Sequence, residues 1–332
     1  MPISLKKLND ANRLLFKIPL QPLLGNRFQP TGFPSLGAAT FQTTHGASLL
    51  VESAQSMANR LEMTVWDTVA KDVKQEFSGL SHVRITRNGE FLTDTILESH
   101  RLNSPYLLEG EDKTFFNTLK DDLGILGTGP IDHQKLARVL LKYDINSLLH
   151  GIFLAKKDLA GGRLRVARAV SAFIEADHVQ VAASGGVKND HVNPSGDTRT
   201  GFGNVPFARD EYTAESITLY VNLDLAQIRG YGLGAAVERL LILLALYKLR
   251  ALTDEGMRLR TACDLCVESP DIKAAAPAAW PLPSLDNLKE DVKTAIAACE
   301  DKMTVNKVMF EGELKKGKTE DEPAAEAGGG KE

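Results

Sequence analysis

The sequence predicts an α+β fold, with helices packed on one face of an antiparallel sheet. Three observations predict it. Residues 217–225 alternate apolar and polar side chains, as a half-buried strand does. Residues 234–252 carry the strongest helical apolar pattern in the chain. Elements of both kinds mix along the chain as strand, helix, hairpin, helix, strand, loop, strand, helix, strand, which suits one layer of each. With 332 residues, 43% of them hydrophobic, there is enough chain for a sizeable core in one large domain or two small ones.

Residues 13–24 open as a strand whose pairing is limited by Pro19 and Pro22. Gly25, Pro30, Gly32, Pro34 and Gly37 then mark a loop, stiffened by its prolines. Leu50, Ala54, Met57, Leu61, Val65 and Val69 make one apolar stripe, predicting a helix over 48–69 capped by Ser48. Ser56, Asn59, Arg60 and Asp67 fall on its other face. Residues 82–96 read as a hairpin around Asn88-Gly89, the pair that tolerates positive φ at both turn positions. Asp132 is the N-cap of a helix carrying Leu136, Val139, Leu140 and Tyr143. Residues 145–155 fit either a short helix or a buried strand. Residues 163–176 predict one strand, with Leu164, Val166, Val170 and Phe173 as core.

Residues 184–212 have few apolar side chains and many Gly, Asn, Asp, Pro and Thr, and read as a long loop of functional or disordered character. In the clear strand at 217–225, Tyr220 lies on the polar side. Gly230, Gly232 and Gly234 lead into the long helix, and residues 258–265 predict a last strand. A further helix is expected near 285–299, and from 315 onward the tail is too polar to order itself. The chain therefore divides into 1–268, a helical extension at 269–314 and a disordered acidic tail at 315–332. No internal repeat is evident. Ferredoxin-like or RRM-like topologies are the commonest folds of this pattern.

The net charge of −4 hides an uneven distribution. Residues 133–170 hold eight basic side chains against two acidic, while the chain from Leu285 onward holds twelve acidic against eight basic. A local basic surface fits nucleic acid, and equally fits a solvated face balanced by neighbours in the fold. No secretory pattern opens the chain and its strongest apolar run, 240–246, is far too short for a bilayer, so the expected location is the cytoplasm. Cys263 and Cys266 have half the spacing of a zinc site, but Cys299 stands alone and no His follows His191. Cysteines on or after a strand are the expectation, with neither metal nor cofactor.

No nucleophile elbow, paired-carboxylate motif or tight histidine pair appears, which argues against an enzyme. The turn holding Gly230, Gly232 and Gly234 could offer helix N–H groups to a phosphate, or simply pack a helix onto a sheet. One polar cluster gathers Arg27, Gln29, Gln42, Ser53, Gln55, Ser56, Asn59 and Arg60, donors of the type that grip phosphate and sugar; His45 sits in a loop beside it. A second is Arg163, Arg165 and Arg168, with Arg163 and Arg165 expected on one strand face beside Tyr220. The long loop adds Lys188, Asn189, His191, Arg199, Phe202 and Arg209, a basic loop with an aromatic that could wedge or clamp a strand.

Several stretches taken together resemble a known family: GNRFQPTGFPSLG from Gly25, LVESAQSMANRLE from Leu50, NSLLHGIFLA from Asn146, GGVKND from Gly185 and RGYGLGAAVERLLILLALYKLR from Arg229. Their order resembles the RAMP-superfamily guide-RNA-binding backbone subunit of type I-U (I-G) CRISPR Cascade-like effector complexes, over about residues 13–266. The resemblance implies an RRM-like palm with an inserted hairpin and long loop. It implies several copies packed head to tail along one guide RNA, target DNA paired to that RNA, and as further partners the guide-processing RAMP subunit and the large subunit. It leaves two rivals, a RAMP-type ribonuclease using His45 or His150, and a scaffold that touches only protein.

Overall fold

The computed structural model describes residues 2–33, 37–44, 46–124, 130–200 and 202–314. His45 and the tail at 315–332 lie outside the described residues. Strand β1 (Arg13–Pro22) buries Leu14, Phe16, Ile18 and Leu20 and turns Lys17, Pro19 and Gln21 outward. β1 pairs along Arg13–Leu20 with the strand at 216–224, but with its other neighbour only over Leu20, Gln21 and Pro22.

The helix expected over 48–69 is a strand followed by a shorter helix. β2 (Thr40–Thr43) and β3 (Gly46–Glu52) precede α1 (Ala54–Met63). Ser48 is not a cap: it lies in β3, where its Oγ donates to Asp177 Oδ1 at 2.7 Å. The cap is Ser53, whose Oγ accepts from the Ser56 N–H at 3.3 Å. Leu49 and Val51, two apart and both fully buried, are the strand signal that the three-and-four spacing from Leu50 obscured.

The hairpin of β4 (His82–Arg87) and β5 (Glu90–Asp94) forms as read, with Asn88 at φ 52° and Gly89 at φ 81°. After α2 (Thr114–Leu123), α3 (His133–Tyr143) begins at Asp132, whose Oδ1 accepts from the Lys135 N–H at 2.9 Å. Residues 145–155 turn out to be both alternatives in succession. α4 (Asn146–His150) stops at Gly151, φ 79°, and β6 (Ile152–Leu154) follows. The single strand expected over 163–176 is two: β7 (Leu164–Val166), which pairs with β6, and β8 (Val170–Asp177). Phe173 is not a core residue of β8. Val170, Ala172, Ile174 and Ala176 face the core, and Phe173 points the other way to stack on Tyr220 at 5.2 Å and 22°.

Much of the loop expected over 184–212 is an antiparallel hairpin of β9 (Gln180–Lys188) and β10 (Val205–Thr213). β11 (Ser216–Asp224) alternates as predicted. α5 (Leu225–Gly230) and α6 (Ala235–Glu255) follow, separated by the glycine turn. β12 (Met257–Arg260) and β13 (Cys263–Val267) precede α7 (Leu285–Ala297) and β14 (Val305–Met309). Cys263 and Cys266 are strand residues. No group of three or more metal-ligating side chains occurs among the described residues.

The main sheet is antiparallel throughout, in the order β12-β13-β1-β11-β8-β3-β2. This is an α+β architecture. α6 buries Leu240, Leu241, Leu243, Leu244 and Tyr247 in the core, and α1 and α7 pack against it. β14, which nothing in the sequence pattern announced, pairs in parallel with β4. None of the helices among the described residues is long and apolar enough to cross a membrane.

Candidate nucleic-acid interface

Between the β6–β7 ribbon and the first residues of α1 and α3 the chain forms an open groove of about 920 Å³. The short β6–β7 ribbon supplies Phe153 and Arg165, and the break before β8 supplies Arg168. His100, Arg101 and Asn103 come from the turn over residues 100–103, His133 from the start of α3, His150 from the end of α4 and Gln55 from the first turn of α1. Among the described residues lining it there are three arginines, three histidines and no carboxylate. Phe153 is a half-exposed ring on its wall, the type of platform on which a base stacks.

The groove stands on a buried ionic network. Arg101 Nε and Nη2 donate to Glu62 Oε1 and Oε2 at 2.7 and 2.6 Å, and Nη1 donates to the Gly151 carbonyl at 3.1 Å. Burial pushes the Glu62 carboxyl above its ordinary range, opposed by the Arg101 guanidinium. Arg101 sits at φ 51°, a strained backbone for a side chain with a Cβ, which the bidentate pair holds in place. Beneath, Lys248 of α6 donates to Asn146 Oδ1 and meets His150 Nε2 at 2.9 Å. Burial lowers the Lys248 ammonium to about 8 and holds His150 well below the usual imidazole range.

The structure brings together Gln55, Arg165 and Arg168 of the residues expected to bind RNA. The Arg168 guanidinium and the Gln55 carbonyl are hydrogen-bonded on the groove rim. Arg163 and Arg165 do not share a strand face beside Tyr220. Arg163 precedes β7, bent back so that its Nε donates to the Ala160 carbonyl at 2.9 Å. Arg165 stands on the separate β6–β7 ribbon, while Tyr220 lies on the main sheet opposite Lys17 and Phe173. The break at residues 167–169 separates the two surfaces.

The polar cluster around α1 also divides. Arg60 donates to the Arg258 and Leu259 carbonyls at 3.3 and 2.7 Å, tying α1 to β12. The Gln29 carbonyl accepts from Arg260 at 2.7 Å. Arg27 and Arg209 both face the buried Glu211, at 3.7 and 2.7 Å. Ser53 and Ser56 form the α1 cap, Asn59 is exposed on that helix, and Gln42 is exposed on edge strand β2. Lys188 closes β9, and Asn189 and Arg199 lie in the hairpin tip, where Asp190 accepts from three backbone N–H groups.

Gly230 and Gly232 flank a turn that braces the groove from behind. Gln134 donates to the Gly232 carbonyl at 2.8 Å, Tyr231 Oη donates to Leu148 O at 2.7 Å, and Gln227 donates to Ala167 O at 2.7 Å. His100, Asn103, His133 and Phe153 were missed by sequence reasoning. His100 and Asn103 share one turn, while His133 and Phe153 come from two further elements, so no spacing connects all four.

Residues 14–181, half of the chain, match the family model described as CRISPR-associated protein GSU0053 (Cas_GSU0053). The chain belongs to this family. The match bears out the CRISPR-associated resemblance drawn from the sequence. Every residue lining the groove falls inside the matched segment of this family member, whereas Lys248 beneath it lies outside. Among solved structures, the chain is similar to one in "CRISPR RNA-guided surveillance complex, pre-nicking". There the identity is 14%, with 76% of this chain and 75% of that one covered and a TM-score of 0.37. It is also similar to Csc2 of Thermofilum pendens at 10% identity, covering 91% and 84%, with a TM-score of 0.33. None of the curated proteins matches.

Proposed function

We propose that this chain binds CRISPR guide RNA along its backbone, as a repeated subunit of an interference complex that recognises target DNA, and that it works by binding and not by catalysis. The observation that carries the reading is the groove: basic, free of lining carboxylates, walled by an exposed ring, and contained in the segment that defines the family. A spacer has no fixed sequence, so its protein cradle must grip phosphate and shape while base pairing reads the target. Arg165 and Arg168 are the cations of the cradle. The β9–β10 hairpin, with Phe202 and Phe207 exposed, is the element that reaches a neighbouring copy or the strand it holds. The strand order β13-β1-β11-β8, with the segment holding α1 and α3 between β1 and β8 and α6 between β11 and β13, supports a ferredoxin-like (RRM-like) palm carrying that hairpin as an insertion.

The test is expression with and without a CRISPR array, followed by the absorbance ratio and mass of the purified particle. The reading expects a large RNA-containing particle only with the array. RNA-free monomers under both conditions would sink it, and cleavage of repeat RNA by the pure chain would favour a ribonuclease. Arg165→Ala and Arg168→Ala should each lower the slope of log affinity against log salt by about 0.7 on single-stranded RNA.

A further inference from the structure

The lining of the groove includes two buried hydrogen-bond donors with no acceptor among the described residues. His150 lines the groove yet is only 1% exposed, and its Nδ1 has no partner among the described residues. Arg168 lines the same groove, and its Nε is likewise buried and unpartnered. Buried donors without acceptors are costly and rare, so two at one place mark where an acceptor arrives from outside.

What lies beneath His150 sets its tautomer. The Lys248 ammonium reaches Nε2 from the core side at 2.9 Å. An ammonium has hydrogens and no lone pair, so Nε2 accepts, and a neutral imidazole then carries its one hydrogen on Nδ1. The ring stays neutral because it is buried with Lys248, Arg101 and Arg168 around it. Asn146 takes another of the Lys248 hydrogens and fixes the ammonium in place. The ring therefore offers the groove a donor of fixed direction.

We propose that His150 Nδ1–H and Arg168 Nε–H together seat one phosphodiester oxygen of the bound RNA strand, with Lys248 as the positioning residue that keeps His150 a donor. This rests on the RNA-binding reading of the groove. Both groups only donate, which suits an anionic oxygen better than a 2′-hydroxyl, which has a hydrogen of its own to place. Nearby acceptors are already engaged: Gly151 O by Arg101, Ala167 O by Gln227 and the Gln55 carbonyl by Arg168. Both donors are buried in the free chain, so Arg168 leaves Gln55 as the phosphate enters. That contact is an exposed one and is readily exchanged.

The experiment measures binding of a labelled single-stranded RNA of mixed sequence, and of DNA with the same sequence, to the full chain and to His150→Ala, His150→Asn and Arg165→Ala. Asparagine places an amide N–H near the position of Nδ1. His150→Ala should lose roughly tenfold or more on both strands, with the salt slope unchanged because no charge is removed. His150→Asn should recover most of the loss. The nitrogen-15 spectrum of the unmodified chain should show the His150 hydrogen on Nδ1, a readout that needs no variant to fold. A hydrogen on Nε2, or full affinity in a folded His150→Ala, overturns the proposal. A loss confined to RNA reassigns the donor to a 2′-hydroxyl and overturns the phosphate seat. A full chain that binds neither strand sinks the RNA-binding reading itself. Binding that Arg165→Ala weakens and His150→Ala leaves intact overturns the seat alone.

Discussion

Arg101 lines a basic groove but contributes little free charge to it, because its guanidinium is closed by Glu62 on two sides. Its role is to hold the turn bearing His100 and Asn103 against Gly151. Arg101→Ala takes the bidentate guanidinium partner from a buried carboxylate, a change that costs about 3–5 kcal/mol. A urea-unfolding midpoint should fall accordingly. Lys248 answers to pH. Its pKa in the fold, about 8, lies below the ordinary 10.5, so between those values the unfolded chain binds the proton and the folded chain does not. Its contribution to stability therefore rises with pH across that window. Glu62, Arg101, Asp144 and His150 face it, and cysteines and tyrosines titrate nearby in pH, so the comparison with Lys248→Met isolates the effect. The stability difference should move in favour of the wild type between pH 8 and 10. A difference that stays constant with pH would show that Lys248 does not titrate there.

At the scale of the element, the β9–β10 hairpin is the outlier. A two-stranded ribbon is marginal in water, and this one exposes Val181, Val187, Phe202 and Phe207. It is tied to the body at its base, through the Phe28–Tyr212 bridge and the Arg27–Glu211 ion pair. Replacing residues 184–209 by a short turn should leave the thermal midpoint of the isolated chain within a few degrees of the wild type. The same change should reduce the particle mass recovered with a CRISPR array. Loss of fold would show the hairpin to be part of the core.

The hairpin also shows why some elements were legible and others not. β11 could be read from alternation because one of its faces is buried. Asn88-Gly89 and Asp132 could be read because a turn and a cap each need specific chemistry at one residue. β9 and β10 bury almost nothing, so no alternation records them, and Gly185 and Gly186 made them look like loop. In residues 48–69 a strand met a helix without a turn residue, and the periodicity of one ran into the other. Arg165 and Arg168 could be found from charge. His100, His133 and Phe153 could not, since only the tertiary fold gathers them.

The last of the described elements close the molecule. α7 buries Leu288, Val292 and Ile296, and β14 completes a sheet begun at His82. A chain ending at residue 283 uncovers the face of α6 that α7 protects. Such a truncation should be poorly soluble, with no sharp thermal transition by calorimetry. A cooperative transition near that of the full chain would show residues 285–309 to be an appendage. At the same scale, the overall charge of −4 gave no hint of the groove, because acidic residues elsewhere outweigh its cations.

The contact between Lys248 and His150 spans 98 positions of sequence. During synthesis, Arg165 and Arg168 leave the ribosome well before α6 does. Until that helix docks, His150 has no ammonium behind it, Tyr231 has not reached Leu148, and Gln227 has not fixed Ala167. The arginines of a half-made chain are therefore present without the floor that aligns them. The order of translation thus delays a formed groove until most of the chain exists, and under the proposed RNA-binding function an incomplete copy is a poor competitor for the guide.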